Sequence, residues 1–246
     1  MNPIPPDMAD TILRLKDILQ NSDNIVFFGG AGVSTESGIP DFRSADGLYS
    51  TKYAYPPETM LSNTFFVRNT GEFFKFYREK MIHPSAKPNK AHFALAELER
   101  QGKLKAVITQ NIDGLHSAAG SVNVLELHGS IYRNFCAACE KSYPLEAVLQ
   151  AEDIPRCRCG GAIKPDVVLY EEGLDESIME RAATAIREAD VLIVGGTSLN
   201  VYPAAGLIRY YSGDKLILIN KSETPYDGYA DMIIRHSIGE TLNAAV

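Results

Sequence analysis

Five short apolar runs in this chain each give way to glycine or to small polar residues, and that repeated ending constrains the fold more than any other feature. Asn24-Ile25-Val26-Phe27-Phe28 runs into Gly29-Gly30-Ala31-Gly32, Ala106–Thr109 into Gln110 to Asp113, and Val124–Leu127 into His128. Val191–Val194 runs into Gly195 to Ser198, and Leu216–Ile219 into Asn220. Apolar runs of this length read as buried strands, and Val167–Leu169 is assigned as another. Helix-period patterns at 71–81, 89–101, 176–189 and 204–211 separate several of them. A further helix over 8–20, with Ile12, Leu15, Ile18 and Leu19 on one face, opens the chain. The alternation predicts an α/β fold, a Rossmann-like doubly wound parallel sheet. Ligands of such sheets bind outside the carboxyl ends of the strands, so the polar endings predict one nucleotide crevice. Turn-making alone explains any one of them but is a poor account of five.

Two stretches interrupt the alternation. Residues 45–88 are expected to form a helical insert, and residues 133–163, which hold all four cysteines, a small metal-binding lobe. The 246 residues then read as a single catalytic domain, 1–246, carrying both. A formal charge of −7 argues against direct nucleic-acid binding, which needs clustered Lys and Arg. No run approaches the roughly 18 apolar residues of a membrane helix. The first ten residues lack a basic region followed by an apolar run, so no secretory signal is read. The chain is therefore expected in the cytoplasm, where local cysteines serve as metal ligands more often than as disulfides. They stand as Cys136-x-x-Cys139 and, 17 residues on, Cys157-x-Cys159. Four thiolates close the coordination shell of zinc, so one structural zinc ion is expected, with no open position for catalysis.

The first glycine turn is followed by no immediate helix. Thr35-Glu36-Ser37-Gly38-Ile39-Pro40-Asp41-Phe42-Arg43 forms a polar loop suited to closing over a cofactor. Gly30-Ala31-Gly32-Val33-Ser34 with Gly38-Ile39-Pro40-Asp41-Phe42-Arg43 closely resembles the signature of the sirtuin family. So do Thr109-Gln110-Asn111-Ile112-Asp113-Gly114-Leu115-His116 and Glu126-Leu127-His128-Gly129. The cysteine cluster, Lys164-Pro165-Asp166-Val167-Val168, and Gly196-Thr197-Ser198-Leu199 with Tyr202-Pro203-Ala204 complete the likeness, in the family's order over about residues 25–220.

The resemblance implies an NAD-consuming protein-lysine deacetylase. The acyl oxygen attacks the ribose carbon bearing nicotinamide. A ribose hydroxyl, deprotonated by a histidine, then completes the transfer, giving free lysine, nicotinamide and O-acetyl-ADP-ribose. His128 is the implied base, since a histidine titrates near working pH; His116 reads as structural. Asn111 is implied to position the ribose or a water, and Asp113 to accept from the nicotinamide amide. The implied NAD contacts are Gly30, Ala31, Gly32, Thr35, Asp41, Phe42, Arg43, Gln110, Asn111, Ile112, Asp113, His128, Gly196, Thr197, Ser198 and Asn220. An acetylated peptide or protein is implied to bind as an extended strand between Val167–Tyr170 and Ser198–Tyr202, touching Phe42, Val168, Tyr170, Ser198, Leu199 and Tyr202.

Two departures stand out. The second cysteine pair has one intervening residue where two are usual, and Tyr170-Glu171-Glu172 stands where many relatives carry glycine after the aromatic. Sirtuins preferring succinyl or malonyl lysine resemble one another in a Tyr-x-x-Arg pair within the insert. Phe74 and Tyr77 fall at those places, so a neutral acyl group is expected, with Arg78 turned away. Other readings are a zinc-ribbon nucleic-acid binder, a hydride-transferring dehydrogenase, and a mono-ADP-ribosyltransferase or remover of other acyl groups. Acidic residues balance the basic ones around the cysteines, and the long loop after the glycine turn replaces a dehydrogenase helix, so the first two fit poorly.

Overall fold

The structure, a computed structural model, describes residues 6–42, 44, 47–50 and 53–246. Its strands are β1 (Ile25–Gly29), β2 (Leu104–Thr109), β3 (Val124–Glu126), β4 (Gly129–Cys136), β5 (Ser142–Tyr143), β6 (Ile163–Val167), β7 (Val191–Gly195), β8 (Leu216–Ile219) and β9 (Met232–Ile234). Its α-helices are α1 (Pro6–Gln20), α2 (Pro57–Met60), α3 (Asn63–Arg68), α4 (Thr70–Lys80), α5 (Lys90–Arg100), α6 (Leu115–Ala118), α7 (Glu146–Leu149), α8 (Glu176–Glu188) and α9 (Ile238–Ala245). Six strands form one wholly parallel sheet in the order β3-β2-β1-β7-β8-β9.

Both faces of this sheet are covered at its centre, which is why β1, β7 and β8 are continuous apolar runs and not alternating ones. Ile25, Phe27, Val107, Ile193 and Ile217 face α1, α5 and α9. Val26, Phe28, Ile108, Leu192 and Leu218 face α8 and the 3-10 helix Ala204–Tyr210. Helix α5 begins at Asn89, whose side chain accepts from the Ala91 amide while His92 Nδ1 accepts from the Asn89 amide. Helix α9 seats Ile238, Leu242 and Ala245, one face at helical spacing, between α1 and α5.

The strand expected at Val167–Leu169 is corrected. Val167 ends β6, which pairs antiparallel with β4 in a separate three-stranded sheet ordered β5-β4-β6. The sixth strand of the large sheet is Met232–Ile234, which lies parallel to β8 at its far edge. The segment expected as an α-helix over 204–211 is a 3-10 helix. A third apolar cluster joins the helical insert to the small sheet: Phe66, Phe73, Phe74 and Tyr77 pack with Ile131, Cys136, Ile163 and Leu169. Among the described residues no helix is long and apolar enough to cross a membrane.

Candidate active site

Strand order reverses at β1. The chain continues from β1 to β2 and β3 on one side, and later to β7, β8 and β9 on the other, so the carboxyl ends of β1 and β7 border a crevice. Their last residues, Gly29 and Gly195, pair in register. The Gly30 amide then donates to Gly195 O at 3.3 Å and the Gly32 amide to Gly196 O at 2.8 Å. A Cβ on Gly30 would lie 2.8 Å from Thr197 Cβ. Gly196 has φ +59°, and a Cβ there would lie 2.3 Å from Val33 N. These glycines are thus demanded by the contact between two protein loops as well as by any phosphate that approaches them.

Ala31 lies in a 3-10 turn (Ala31–Val33), and Thr35 opens the next one, donating to Gly32 O at 3.0 Å. Thr197 Oγ1 accepts from Gln110 Nε2 at 3.1 Å and from the Leu199 amide at 3.2 Å, joining the ends of β2 and β7. Ser198 is half-buried beside it. Asn220, at the end of β8, donates from Nδ2 to Ser222 O and accepts from Arg235 on its carbonyl. Asp41 accepts from the Ser44 amide, and Phe42 meets Tyr49 edge-on at 5.8 Å. Arg43 lies outside the described residues.

Ser34, absent from the expected contact set, organises the floor. Buried at 1% exposure, it donates to Asp113 Oδ2 at 2.6 Å and accepts from Asn111 Nδ2 at 3.1 Å. The other Asp113 oxygen accepts from the Leu115 amide at 2.9 Å, so this carboxylate is oriented by two donors. Ile112 packs against the third apolar cluster, and its carbonyl accepts from the Ile131 amide. Asn89 donates to Val33 O and Ser37 Oγ, anchoring the same loop from α5. Only membership in a motif pointed to Ser34; nothing in the sequence pointed to Asn89.

His128 lies in the two-residue turn between β3 and β4. Its Nδ1 lies 2.9 Å from the Gln110 carbonyl, and a carbonyl only accepts, so Nδ1 carries the proton and Nε2 is the basic nitrogen. Burial lowers the pKa of this ring, and the Gln110 hydrogen bond only partly restores it, so the ring is neutral at pH 7. His116 lies buried on α6, its ring 4.7 Å from that of His92. Gly129, at φ +77°, lets the Asp166 carbonyl approach to a point where a Cβ would lie 2.0 Å from it.

The His128 carbonyl accepts from the Val168 amide at 3.0 Å, joining the nucleotide crevice to the segment after β6. Along that segment the Leu169 amide donates to Glu172 Oε2 at 2.8 Å and the Tyr170 amide to Leu61 O at 3.0 Å. Tyr170 Oη lies 2.7 Å from Tyr49 Oη. Glu171 sits at φ +76°, the left-handed region for which glycine is the usual choice, and its carboxylate accepts from the Thr64 amide at 2.8 Å. Across the cleft, Leu199 is buried at φ +56° and Tyr202 is exposed. Phe74 and Tyr77 are fully buried, while Arg78 donates to Asp153 O at 2.8 Å and to Val148 O at 3.5 Å.

The four cysteine sulfurs all lie within 4.8 Å of one another, with closest pairs at 3.4 Å (Cys136 and Cys159), 3.5 Å (Cys159 and Cys139) and 3.6 Å (Cys139 and Cys157). A zinc tetrahedron with bonds of about 2.3 Å has edges of about 3.8 Å, so the cluster fits the ion. The Cys159 amide and the Tyr143 hydroxyl, which donates at 3.0 Å, lower the Cys157 thiol to about 6. The Gly161 amide favours the Cys159 thiolate, but the neighbouring thiols, Cys136 first, outweigh it and push that group to about 12. Four thiolates share so small a volume only when a cation neutralises them.

The chain matches the Sir2 family over residues 30–203. It is 64% identical to the NAD-dependent protein deacetylase of Clostridium acetobutylicum over 243 residues, covering 97% of this chain and 99% of that protein. Among solved structures it is similar to a Sir2 enzyme at TM-score 0.88 and 43% identity, covering 97% of each chain. It is also similar to a Sir2 protein solved with a p53 peptide and NAD+, at TM-score 0.82 and 41% identity, covering 93% of this chain and 94% of that one. Crevice, thiolate cluster and extent of likeness agree: this chain belongs to the Sir2 family.

Proposed function

We propose that this protein removes acetyl groups from protein lysine, consuming NAD and releasing nicotinamide and O-acetyl-ADP-ribose. The observation that carries the reading is the position of His128. Its side chain is a neutral, half-buried base at the end of the nucleotide sheet, and its own carbonyl holds the neighbouring segment through Val168. A single residue thus borders both the proposed NAD crevice and the proposed peptide edge. The likeness to a protein named NAD-dependent protein deacetylase supports the same reading.

In this reading Gly30 and Gly32, whose own amides are spent on Gly195 O and Gly196 O, let the chain pass close to the pyrophosphate, Thr197 and Ser198 border it, and Asn220 serves the adenosine ribose. Asp113, oriented by Ser34 and Leu115, accepts from the nicotinamide amide and holds the ring for departure. Asn111 fixes the ribose. The acetyl oxygen would displace nicotinamide from the ribose carbon; a ribose hydroxyl would then give its proton to His128 Nε2 and attack the acetyl carbon, after which the lysine amine leaves with a proton and one water molecule enters to complete O-acetyl-ADP-ribose. Phe42 shields the ribose carbon from water while nicotinamide departs. The peptide lies extended between 167–170 and 198–202, with Val168, Tyr170 and Tyr202 lining it, while Leu199, buried in the sheet's apolar cluster, anchors the second segment. Zinc, held by Cys136, Cys139, Cys157 and Cys159, supplies folding energy to the small lobe and takes no chemical step.

Mass spectrometry of the products from NAD and an acetyl-lysine peptide tests this. Wild-type protein should yield nicotinamide, free lysine and acetylated ADP-ribose, and His128→Ala should lower the rate by about 10²–10⁴-fold with the fold intact. ADP-ribose attached to protein, with no acetylated ADP-ribose, would replace deacetylation with mono-ADP-ribosyl transfer.

A further inference from the structure

Two adjacent carboxylates that the chemistry does not use fasten the helical insert to the segment proposed to receive the peptide. Tyr170 makes two backbone hydrogen bonds across the junction: its amide donates to Leu61 O, and its carbonyl accepts from the Asn63 amide, both at 3.0 Å. Glu171 then accepts from the Thr64 amide at 2.8 Å, and Glu172 Oε1 accepts from Asn63 Nδ2 at 2.7 Å. The other oxygen of Glu172 turns inward, accepting from the Leu169 amide at 2.8 Å and from Lys164 Nζ at 3.1 Å. Lys164 and Glu172 are only 12% and 22% exposed, and Lys164 also donates to Val167 O at 3.1 Å. An ion pair that is largely withdrawn from water persists only where its remaining hydrogen bonds are made, as they are here.

We propose that Glu171 and Glu172 form a latch that fixes the shape of the peptide edge by tying it to residues 61–64; both are positioning residues. The proposal rests on the peptide reading given above. Two further features support it. Glu171 adopts a left-handed backbone that side-chain-bearing residues rarely take, a conformation that persists where surrounding contacts over-determine it, and its Thr64 bond is such a contact. Leu169 and Val167 share one apolar cluster with Phe74 and Tyr77, so the latch sets the peptide edge and the insert as one unit. Ordering that edge before the peptide arrives lowers the entropy lost on binding, and the gain appears in KM and not in kcat.

Hydrogen exchange on the zinc-loaded full chain without substrate, comparing wild type with Glu172→Gln and Glu171→Gln, reads the latch directly. Loss of a charge-assisted bond should speed exchange in 61–65 and 168–172 together, by about tenfold, while β1, β2 and β7 stay unchanged. Faster exchange in 168–172 alone, in either variant, would overturn the latch. Because Glu171 is exposed and Glu172 is not, Glu171→Gln keeps the comparison valid if Glu172→Gln fails to fold. In turnover assays, KM for an acetylated peptide should rise about tenfold in Glu172→Gln, with kcat and the KM for NAD within about twofold of wild type. A lower peptide KM would instead make Glu172 a competitor for the Leu169 amide, and the proposal would fail. If wild-type protein removes no acetyl group, the functional reading falls, while hydrogen exchange still decides the latch.

Discussion

Acidification should destabilise this protein through two histidines that play no part in the proposed chemistry. His92 and His116 are 0% and 2% exposed, with ring centroids 4.7 Å apart. Burial lowers His92 to about 4, although Asp113 and Glu36 pull it upward, and lowers His116 to about 3, with His92 adding to the fall. In the unfolded chain both titrate near 6.5, so between that value and the folded ones the unfolded state binds more protons. Stability is therefore full above about pH 6.5 and lost as pH falls toward 4 and 3. At pH 5 each unfolded histidine is almost wholly protonated and each folded one almost wholly neutral, which amounts to about 2 kcal/mol per group and about 4 for the pair. That is a large share of the roughly 5–15 kcal/mol that holds a domain folded. Urea unfolding followed by circular dichroism at pH 7.5 and pH 5 measures the drop. Carboxylates, His128 and the zinc thiolates also titrate, but comparison with His116→Gln cancels them. The variant's drop should be smaller by about 2 kcal/mol. An equal drop in both proteins would refute the reasoning.

Cys136→Ala should bind no zinc and should loosen 133–163 while leaving the large sheet folded, as metal analysis and limited proteolysis would report; zinc-free wild-type protein would count against the cluster as a metal site. Gly196→Ala should cost at least about 1–2 kcal/mol and raise the KM for NAD, since its φ of +59° and the 2.3 Å approach of Val33 N leave no room for a methyl group. Acetyl peptide should exceed the matched succinyl peptide in kcat/KM, because Phe74 and Tyr77 bring no cation and Arg78 is held on the carbonyls of Asp153 and Val148. Equal turnover of the two would mean that a cation reaches the acyl group.

The sequence alone determined whatever depends on neighbours along the chain. The strands at Ile25, Ala106, Val191 and Leu216 were legible because a stretch covered on both faces must be apolar, and the one at Val124 because its apolar start runs straight into a polar turn. The zinc ligands were legible because two close pairs of thiols need only local turns to converge. Tertiary structure decided what depends on partners far away. Met232–Ile234, three residues long, shows no period of its own and becomes a strand because β8 leaves an edge open; Val167–Leu169 is just as apolar but meets β4 first. Ser34 becomes the centre of the crevice only when β1 and β2 bring Asp113 and Asn111 to it. Glycines 30 and 196 are needed chiefly because their loops touch, a contact between positions 166 residues apart that no window of sequence contains. The burial of His92 against His116, and of Lys164 against Glu172, likewise follows from packing between elements, since desolvation is a property of the assembled interior and not of any residue in it.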